Sequence, residues 1–521
     1  MTTFDLPDPR FAAFCDTVRA AFRQTRVTQA VEGKQLTGFP PGKLHPVWIR
    51  DHTYQLRGFR YIEPDVKSAV EVFAQTQAPD GAVFDWFDKE GRGARVPTEA
   101  DVEFLLVEAV YLAWQSSGDN DWMARLLPAL EKAMGYSMTD AKRWAPALQL
   151  VKRPFSLDTW DFVYNPRGKF RRNPYGEIDA HTTYGIMHGD NSGMCQAAGR
   201  LATLYRQLGD TLRAEHWETT ARGFRERTNR VCWNGRFYTH QVHLDPVTVE
   251  GVDEASQLSL CNAFNLNRGI ADFRQRCSII EEYRRRKAEA REYFAEWFGI
   301  HPPFPAYSFH AEDFSGDWVC NPGCYVNGGV LPLVGGELAR GAFENGFEEY
   351  GLDILDRYFD LVKAVGPYVW YHPDGRPCPD TAFAPPDVWG LAAMFAALVE
   401  GFAGVKDESS RFERVTFSPR LCIVGITKGA VAIGYEGAGA GFSYDYALDL
   451  PAKTLALKFH GTRTREVACH ILLPKGMSAR RVVLRSGPVA LENELVRQSP
   501  YVNFRAPGAD EATIEFGPHA P

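Results

Sequence analysis

The stretch Val102-Glu-Phe-Leu-Leu-Val-Glu-Ala109 puts Val102, Leu105, Leu106 and Ala109 on one face of a helix. Apolar residues at i, i+3, i+4 and i+7 mark an α-helix packed on a core. The spacing recurs at Met194, Ala198, Leu201 and Tyr205, and again at Leu391, Met394, Phe395, Leu398 and Phe402. Further helices are predicted over about 10–30, 51–62, 64–77, 121–140, 211–229, 255–265, 270–292, 328–343 and 346–364, roughly a dozen in all and tending to come in pairs. Short glycine turns rich in aromatics follow certain pairs: Asp80-Gly-Ala-Val-Phe-Asp-Trp86, Cys232-Trp-Asn-Gly-Arg-Phe-Tyr238 and Trp370-Tyr-His-Pro-Asp-Gly375. No fixed period emerges, so this is a loose echo. It suggests helical hairpins around an axis, with aromatic loops at one end.

After about Lys406 the pattern changes to period two. Leu455, Leu457 and Phe459 alternate with small or polar residues, as do Ile514 and Phe516. Strands are predicted at Arg414–Ser418, Ala430–Tyr435, Gly441–Leu448, Thr454–Phe459, Glu466–Leu473, Arg481–Leu484 and Ala512–Phe516, separated by Gly or Pro turns. That succession is expected of an antiparallel β-sandwich. A chain of 521 residues exceeds what one core usually holds. The expected division is a helical catalytic domain over 1–405 and an accessory β-sandwich over 406–521.

Hydrophobic residues at 45% and charged residues at 24% are ordinary globular values. The 12 Trp and 21 Tyr suit a carbohydrate cleft, and equally a large core. A net charge of −7 argues against nucleic acid as a partner. The strongest basic run, Arg284-Arg-Arg-Lys287, reads as a solvated helix face. The N-terminal residues have no charged start followed by an apolar stretch, and no apolar run reaches membrane-spanning length. The ten cysteines are scattered singly apart from Cys320 and Cys324, in no repeated zinc spacing. These features lead to the expectation of a cytoplasmic protein with reduced thiols, no metal and no cofactor. Its oligomeric state is open between monomer and homo-oligomer.

The chemistry-bearing stretches are Ser156-Leu-Asp-Thr-Trp-Asp161-Phe and Trp48-Ile-Arg-Asp51. An indole face stacks on a pyranose, while carboxylates bind hydroxyls or move protons. Glycosidic cleavage needs one carboxylic acid to protonate the leaving oxygen and a second carboxylate to activate water or attack the sugar. Asp161 is the best acid, because Trp160 and Phe162 would raise its pKa by desolvation. Asp51, held ionised by the adjacent Arg50 guanidinium, suits hydroxyl binding instead, and Arg50, Asp158 and the indoles Trp48 and Trp160 join it in the sugar-binding set. Asp190-Asn191 is predicted to supply a helix cap. His181 and His188 lie in the connection before that helix and could approach the cleft. Asn327 belongs to Asn321-Pro-Gly-Cys-Tyr-Val-Asn-Gly-Gly329, whose glycines and amides suit close approach to a ligand. Trp370 joins the binding set from its aromatic loop. Asp387 reads as a helix N-cap, and Asp374 and Asp380 are both left as candidates for the base. Asp374 sits in a Pro-Asp-Gly turn, a common structural setting.

These motifs, in this order, resemble those of six-hairpin, (α/α)6-barrel glycoside hydrolases, nearest to trehalases and related α-glucosidases and more loosely to glucoamylases. Trp48-Ile-Arg-Asp51 is similar to the stretch that binds the terminal sugar in glucoamylase-like enzymes. Asp158-Thr-Trp-Asp161-Phe162 resembles the trehalase segment whose aspartate is the general acid. Tyr325-Val-Asn-Gly-Gly leading into Glu337-Leu-Ala is similar to a turn and helix recurring across these barrels. The resemblance spans about residues 40–405 and implies an exo-acting, inverting hydrolase of a small, α-linked, gluco-configured substrate. It departs in one respect: between Tyr371 and Asp387 the chain holds only aspartates where trehalases carry a base glutamate. A sugar epimerase working through paired histidines, a phosphorylase, or a non-catalytic carbohydrate-binding protein are the alternatives.

Overall fold

The computed structural model describes residues 1–40, 46–156, 178–180, 182–249, 251–305, 321–378 and 385–519. Twelve α-helices run through the first four hundred residues of that set: α1 (Arg10–Thr25), α2 (Ile49–Phe59), α3 (Ser68–Gln75), α4 (Val102–Ser117), α5 (Asn120–Thr139), α6 (His188–Gln207), α7 (Thr211–Cys232), α8 (Cys261–Asn265), α9 (Phe273–Glu289), α10 (Pro332–Glu344), α11 (Glu348–Val365) and α12 (Trp389–Ala396). Side-chain caps set several of their starts. Asp119 and Asp210 accept from backbone N–H groups three residues on. Asp272 and Gln275 form a reciprocal capping box on α9.

The even-numbered helices touch in a cycle, α2 to α4, α4 to α6, α6 to α8, α8 to α10, α10 to α12, and α12 back to α2. The odd-numbered helices pack against this cycle: α5 on α4, α7 on α6, α9 on α8 and α10, α11 on α10, and α1 on α12. Burial separates the two sets. Every residue of α2 and α12 is buried, as is all of α4 except its last serine. By contrast α1, α5 and α11 are amphipathic, with one buried stripe. Small residues allow the close approach. A Cβ on Gly58 would lie 2.5 Å from the Ala392 Cα of α12. Gly336 of α10 faces Ala393 in the same way.

From Val405 onward the chain is sheet-rich. A seven-stranded sheet holds Lys428–Tyr435, Ala440–Asp449, Thr454–Gly461, Met477–Leu484, Gly487–Pro488 and Ala509–Pro518, with the N-terminal strand Thr3–Asp5 at one edge. A five-stranded sheet holds Val405–Asp407, Arg414–Phe417, Glu466–Leu472, Glu492–Val496 and Ser499–Pro507. The Phe417 ring of the second sheet rests on Phe442, Tyr444 and Phe459 of the first, with centroids 5.3, 4.8 and 5.7 Å away.

Purely antiparallel pairing does not hold. Arg414–Phe417 and Glu466–Cys469 pair in parallel. The chain leaves the smaller sheet after Phe417, builds a meander in the larger one, and returns in its original direction; parallel neighbours require such a long crossover. The strand Thr3–Asp5 pairs with Ala430–Ala432, so the chain's beginning belongs to the C-terminal sheet. The helix predicted over 255–265 shrinks to Cys261–Asn265, preceded by a short 3-10 turn and strand.

Gly58→Leu is expected to lower stability by about 1–3 kcal/mol or more, because the larger side chain must push α12 away from α2. Urea unfolding followed by circular dichroism measures this, and an unchanged midpoint would mean that the contact has slack.

Candidate functional site

The N-terminal ends of α2, α4 and α6 meet around a buried cluster of carboxylates and guanidinium groups. Arg50, in the first turn of α2, donates from Nε to Asp101 Oδ2 at 2.7 Å and from Nη2 to Asp101 Oδ1 at 2.8 Å. The same Nη2 donates to Glu99 Oε2 at 2.6 Å. Asp101 immediately precedes α4, and Glu99 lies in the loop before it. Arg153 lies 3.5 Å from Glu99 and 3.4 Å from Asp190 in α6. Nearby, Arg95 joins Asp85 at 3.0 Å to Glu103 at 3.2 Å. Every one of these groups except Arg95 is buried.

The environments of the acids differ. Burial pushes the Glu99 carboxyl well above the usual range, against the pull of Arg50 and Arg153. Burial acts on Asp101 too, but the two-pronged Arg50 contact outweighs it and holds that carboxyl below its ordinary value. Asp190 is pushed up by burial to about 6. Its Oδ2 makes no hydrogen bond to a described residue.

The aromatic edge comes from two short strands. Trp48 and Trp86 pair across Val47–Trp48 and Trp86–Phe87, with ring centroids 5.9 Å apart and both indoles partly exposed. The Asp85 carbonyl accepts the Ile49 N–H at 2.8 Å, which ties the aromatic turn to the start of α2. Asp51, 7% exposed, stands in the first turn of α2, where the helix end favours negative charge.

Sequence reading couples Arg50 to its neighbour Asp51. The guanidinium instead reaches Asp101 and Glu99, because successive helix residues diverge and do not face one another. Asp190 and Asn191 do not cap α6, which begins at His188. They sit inside its first turn, and Asn191 accepts the Val151 N–H at 2.8 Å. The N-cap of α12 is Val388, and Asp387, one residue earlier, accepts from the N–H groups of Trp389 and Gly390 at 2.8 and 2.9 Å.

Asp374 is half exposed, in its turn, and both its oxygens accept from Arg376, which holds its pKa down. The Asn327 side chain is fully buried and bonds the backbone N–H and carbonyl of Phe304 at 2.8 and 3.0 Å. Its neighbouring glycines serve a tight turn, with Gly329 donating to the Tyr325 carbonyl at 2.8 Å. Trp370 is 2% exposed against Tyr325, so no ring face is open to a sugar. His188 is buried, its pKa lowered well below the usual value by burial, and both ring nitrogens are engaged, by Ser259 at 3.0 Å and Asn265 at 2.9 Å. Asp158, Trp160, Asp161, His181 and Asp380 lie outside the described residues.

Glu99, Asp101, Arg153 and Trp86 were missed as site residues. Pro97-Thr-Glu-Ala-Asp101 carried the signal: two acids in a loop before an apolar helix. Trp86 belongs to one of the aromatic turns already singled out. Arg153 had no signal, because only the folded chain brings it to Glu99.

Because the folded Asp190 carboxyl titrates at about 6 against an ordinary 3.8, the folded state holds more protons than the unfolded chain between those values. Stability therefore falls as pH rises across about 4 to 6 and levels off above. Asp190→Asn is expected to flatten that descent in urea-unfolding midpoints taken across the window. An unaltered slope would remove Asp190 as its source.

No family model matches the chain, and no curated protein matches it. Solved structures do. A GH78 rhamnosidase of Bacillus sp. GL1 aligns with a TM-score of 0.61 at 16% identity, over 90% of this chain and 42% of that one. An alpha-L-rhamnosidase from Dictyoglumus thermophilum aligns at 0.63 and 10% identity, over 99% and 51%. The GH63 mannosylglycerate hydrolase from Thermus thermophilus aligns at 0.51 and 14% identity, over 74% and 99%. The chain spans about half or less of the length of these rhamnosidases. At these identities the likeness shows the fold alone, one shared with these solved structures.

Proposed function

We propose that this chain is a glycoside hydrolase built as an (α/α)6 toroid over 1–405 with an accessory β-sandwich over 406–521. In this reading it works in the cytoplasm, cleaving a small α-linked, gluco-configured substrate from its non-reducing end by inversion. The cycle of even-numbered helices and the likeness to rhamnosidase and mannosylglycerate hydrolase folds support the architecture. One observation carries the site: the ion pairs from Asp101 through Arg50 and Glu99 to Arg153 join the two motif-bearing segments. Arg50 opens α2 beside Trp48 and Asp51. Arg153 lies three residues before Ser156, where the Leu-Asp-Thr-Trp-Asp161 stretch begins.

Asp161 is the general acid in this mechanism, protonating the leaving oxygen as the glycosidic bond breaks. Asp380 is the base, taking a proton from the water that attacks the anomeric carbon from the opposite face. It is preferred to Asp374 because the Arg376 contact lowers the basicity of Asp374 and holds it in its turn. The 379–384 segment leads directly to the cap of α12, and α12 packs on α2. Inversion calls for carboxyl groups about 6.5–9.5 Å apart, with room for the water between them. Trp48 and Trp86 would stack on the sugar, while Asp51 and Asp158 would accept from its hydroxyls.

Asp161→Asn is expected to lower turnover on substrates with poor leaving groups by about 10²–10⁴-fold. The panel should hold α-glucosides, α-L-rhamnosides and α-mannosylglycerate, with NMR of the first-formed anomer. Undiminished turnover removes Asp161 as the acid, and a retained anomer removes inversion. Asp380→Asn is expected to abolish turnover, with Asp374→Asn close to wild type; the reverse pattern would exchange the two roles.

A further inference from the structure

The cycle of helices has a second end, and it is charged differently from the first. A cavity of about 480 Å³ opens there, lined by residues from or just beyond all six even-numbered helices. Eight arginine and lysine side chains against five carboxylates face it, in a chain whose net charge is −7. Three of those arginines are tied to carboxylates. Arg60 donates to Glu400 at 2.8 Å, Arg340 donates to Glu400 at 3.0 Å, and Arg57 holds Glu337.

Arg200 is less committed. Its guanidinium lies over the Tyr111 ring at 3.8 Å, and its nearest carboxylate oxygen is on Glu108 at 3.5 Å. It makes no hydrogen bond to a described residue, and its buried Nε has none. Stacking on Tyr111 occupies one planar face of the guanidinium. Among the other lining arginines, the buried Nε atoms of Arg60 and Arg268 also lack a described partner. A second feature marks this end. α12 continues into a π-helical stretch, Ala397–Phe402, which sets Glu400 on the cavity wall. Such widened turns occur often at functional sites.

We propose that this cavity binds a small, multiply charged oxyanion, a phosphate ester or a polycarboxylate, with Arg200 as the principal donor. The volume lies in the range of small-molecule sites. A guanidinium presents paired N–H groups that match carboxylate and phosphate oxygens. Binding here is independent of catalysis at the opposite end and stands or falls apart from the hydrolase reading.

The test is isothermal titration of the full chain with citrate, inorganic phosphate and glucose 6-phosphate. At least one is expected to bind saturably and to weaken with added salt. Citrate alone would point to a polycarboxylate, and glucose 6-phosphate over phosphate to an ester. Arg200→Gln is expected to weaken binding about 10-fold or more. Glu408→Gln, which removes an exposed carboxylate from the lining, is expected to tighten it. Should Arg200→Gln fail to fold by circular dichroism, Arg225→Gln on the exposed rim carries the same expectation of weakening. No saturable heat with any of the three anions overturns the proposal, as does wild-type affinity in the folded arginine variant.

Discussion

Helix α2 is polar in sequence, Ile-Arg-Asp-His-Thr-Tyr-Gln-Leu-Arg-Gly-Phe, yet wholly buried. The helical half of the molecule depends on neutralising it. Arg50 at one end is held by Asp101 and Glu99, Arg57 near the other by Glu108 and Glu337, and Arg60 just beyond by Glu400. Those carboxylates come from α4 and its approach, from α10, and from the continuation of α12. One helix thus sets the positions of its neighbours through charge. Buried pairs of this kind add little net stability over apolar packing, but removing one partner strands a charge at about 3–5 kcal/mol. The carboxylates are shared, Glu337 between Arg57 and Arg340 and Glu400 between Arg60 and Arg340, so the pairs link α2 to α10 and to the stretch after α12 as one network.

The same pairs divide the two ends chemically. At the N-terminal ends of α2, α4 and α6 acids outnumber bases, and one of them, Glu99, is driven toward its protonated form. At the opposite end the cations prevail. The apolar middle of α4 and α12 lies between. A sugar-cleaving site at the acidic end and an anion site at the basic end would be separated by packed side chains, so each can be altered alone.

Much of this could be read from the chain. Periodicity at Val102–Ala109 and at Leu391–Phe402 located α4 and α12 because both lie in the core and carry long apolar runs. Alternation located Thr454–Gly461 for the corresponding reason in a sheet. Ser499–Pro507 was missed, since its prolines and Asn503 mask the period-two signal. Asp190 was misread as a cap, because Asp before an apolar helix usually caps and only the fold brings Arg153 to it. At the site, Trp48 was legible as an aromatic beside acids. Glu99 and Asp101 stood in plain view but far from any indole in sequence, and Trp86 reaches Trp48 only through strand pairing. Local chemistry was visible; the meeting of segments was not.

The strand Thr3–Asp5 closes an edge of the larger sheet, and Thr2 bonds Gly434 across a separation of 432 residues. On a ribosome the opening residues therefore leave the tunnel long before their partner exists. The helical layers have time to assemble first, with this short tail waiting unpaired. Closing so long a loop is entropically slow, which makes the pairing of Thr3–Asp5 with Ala430–Ala432 a late event in biogenesis.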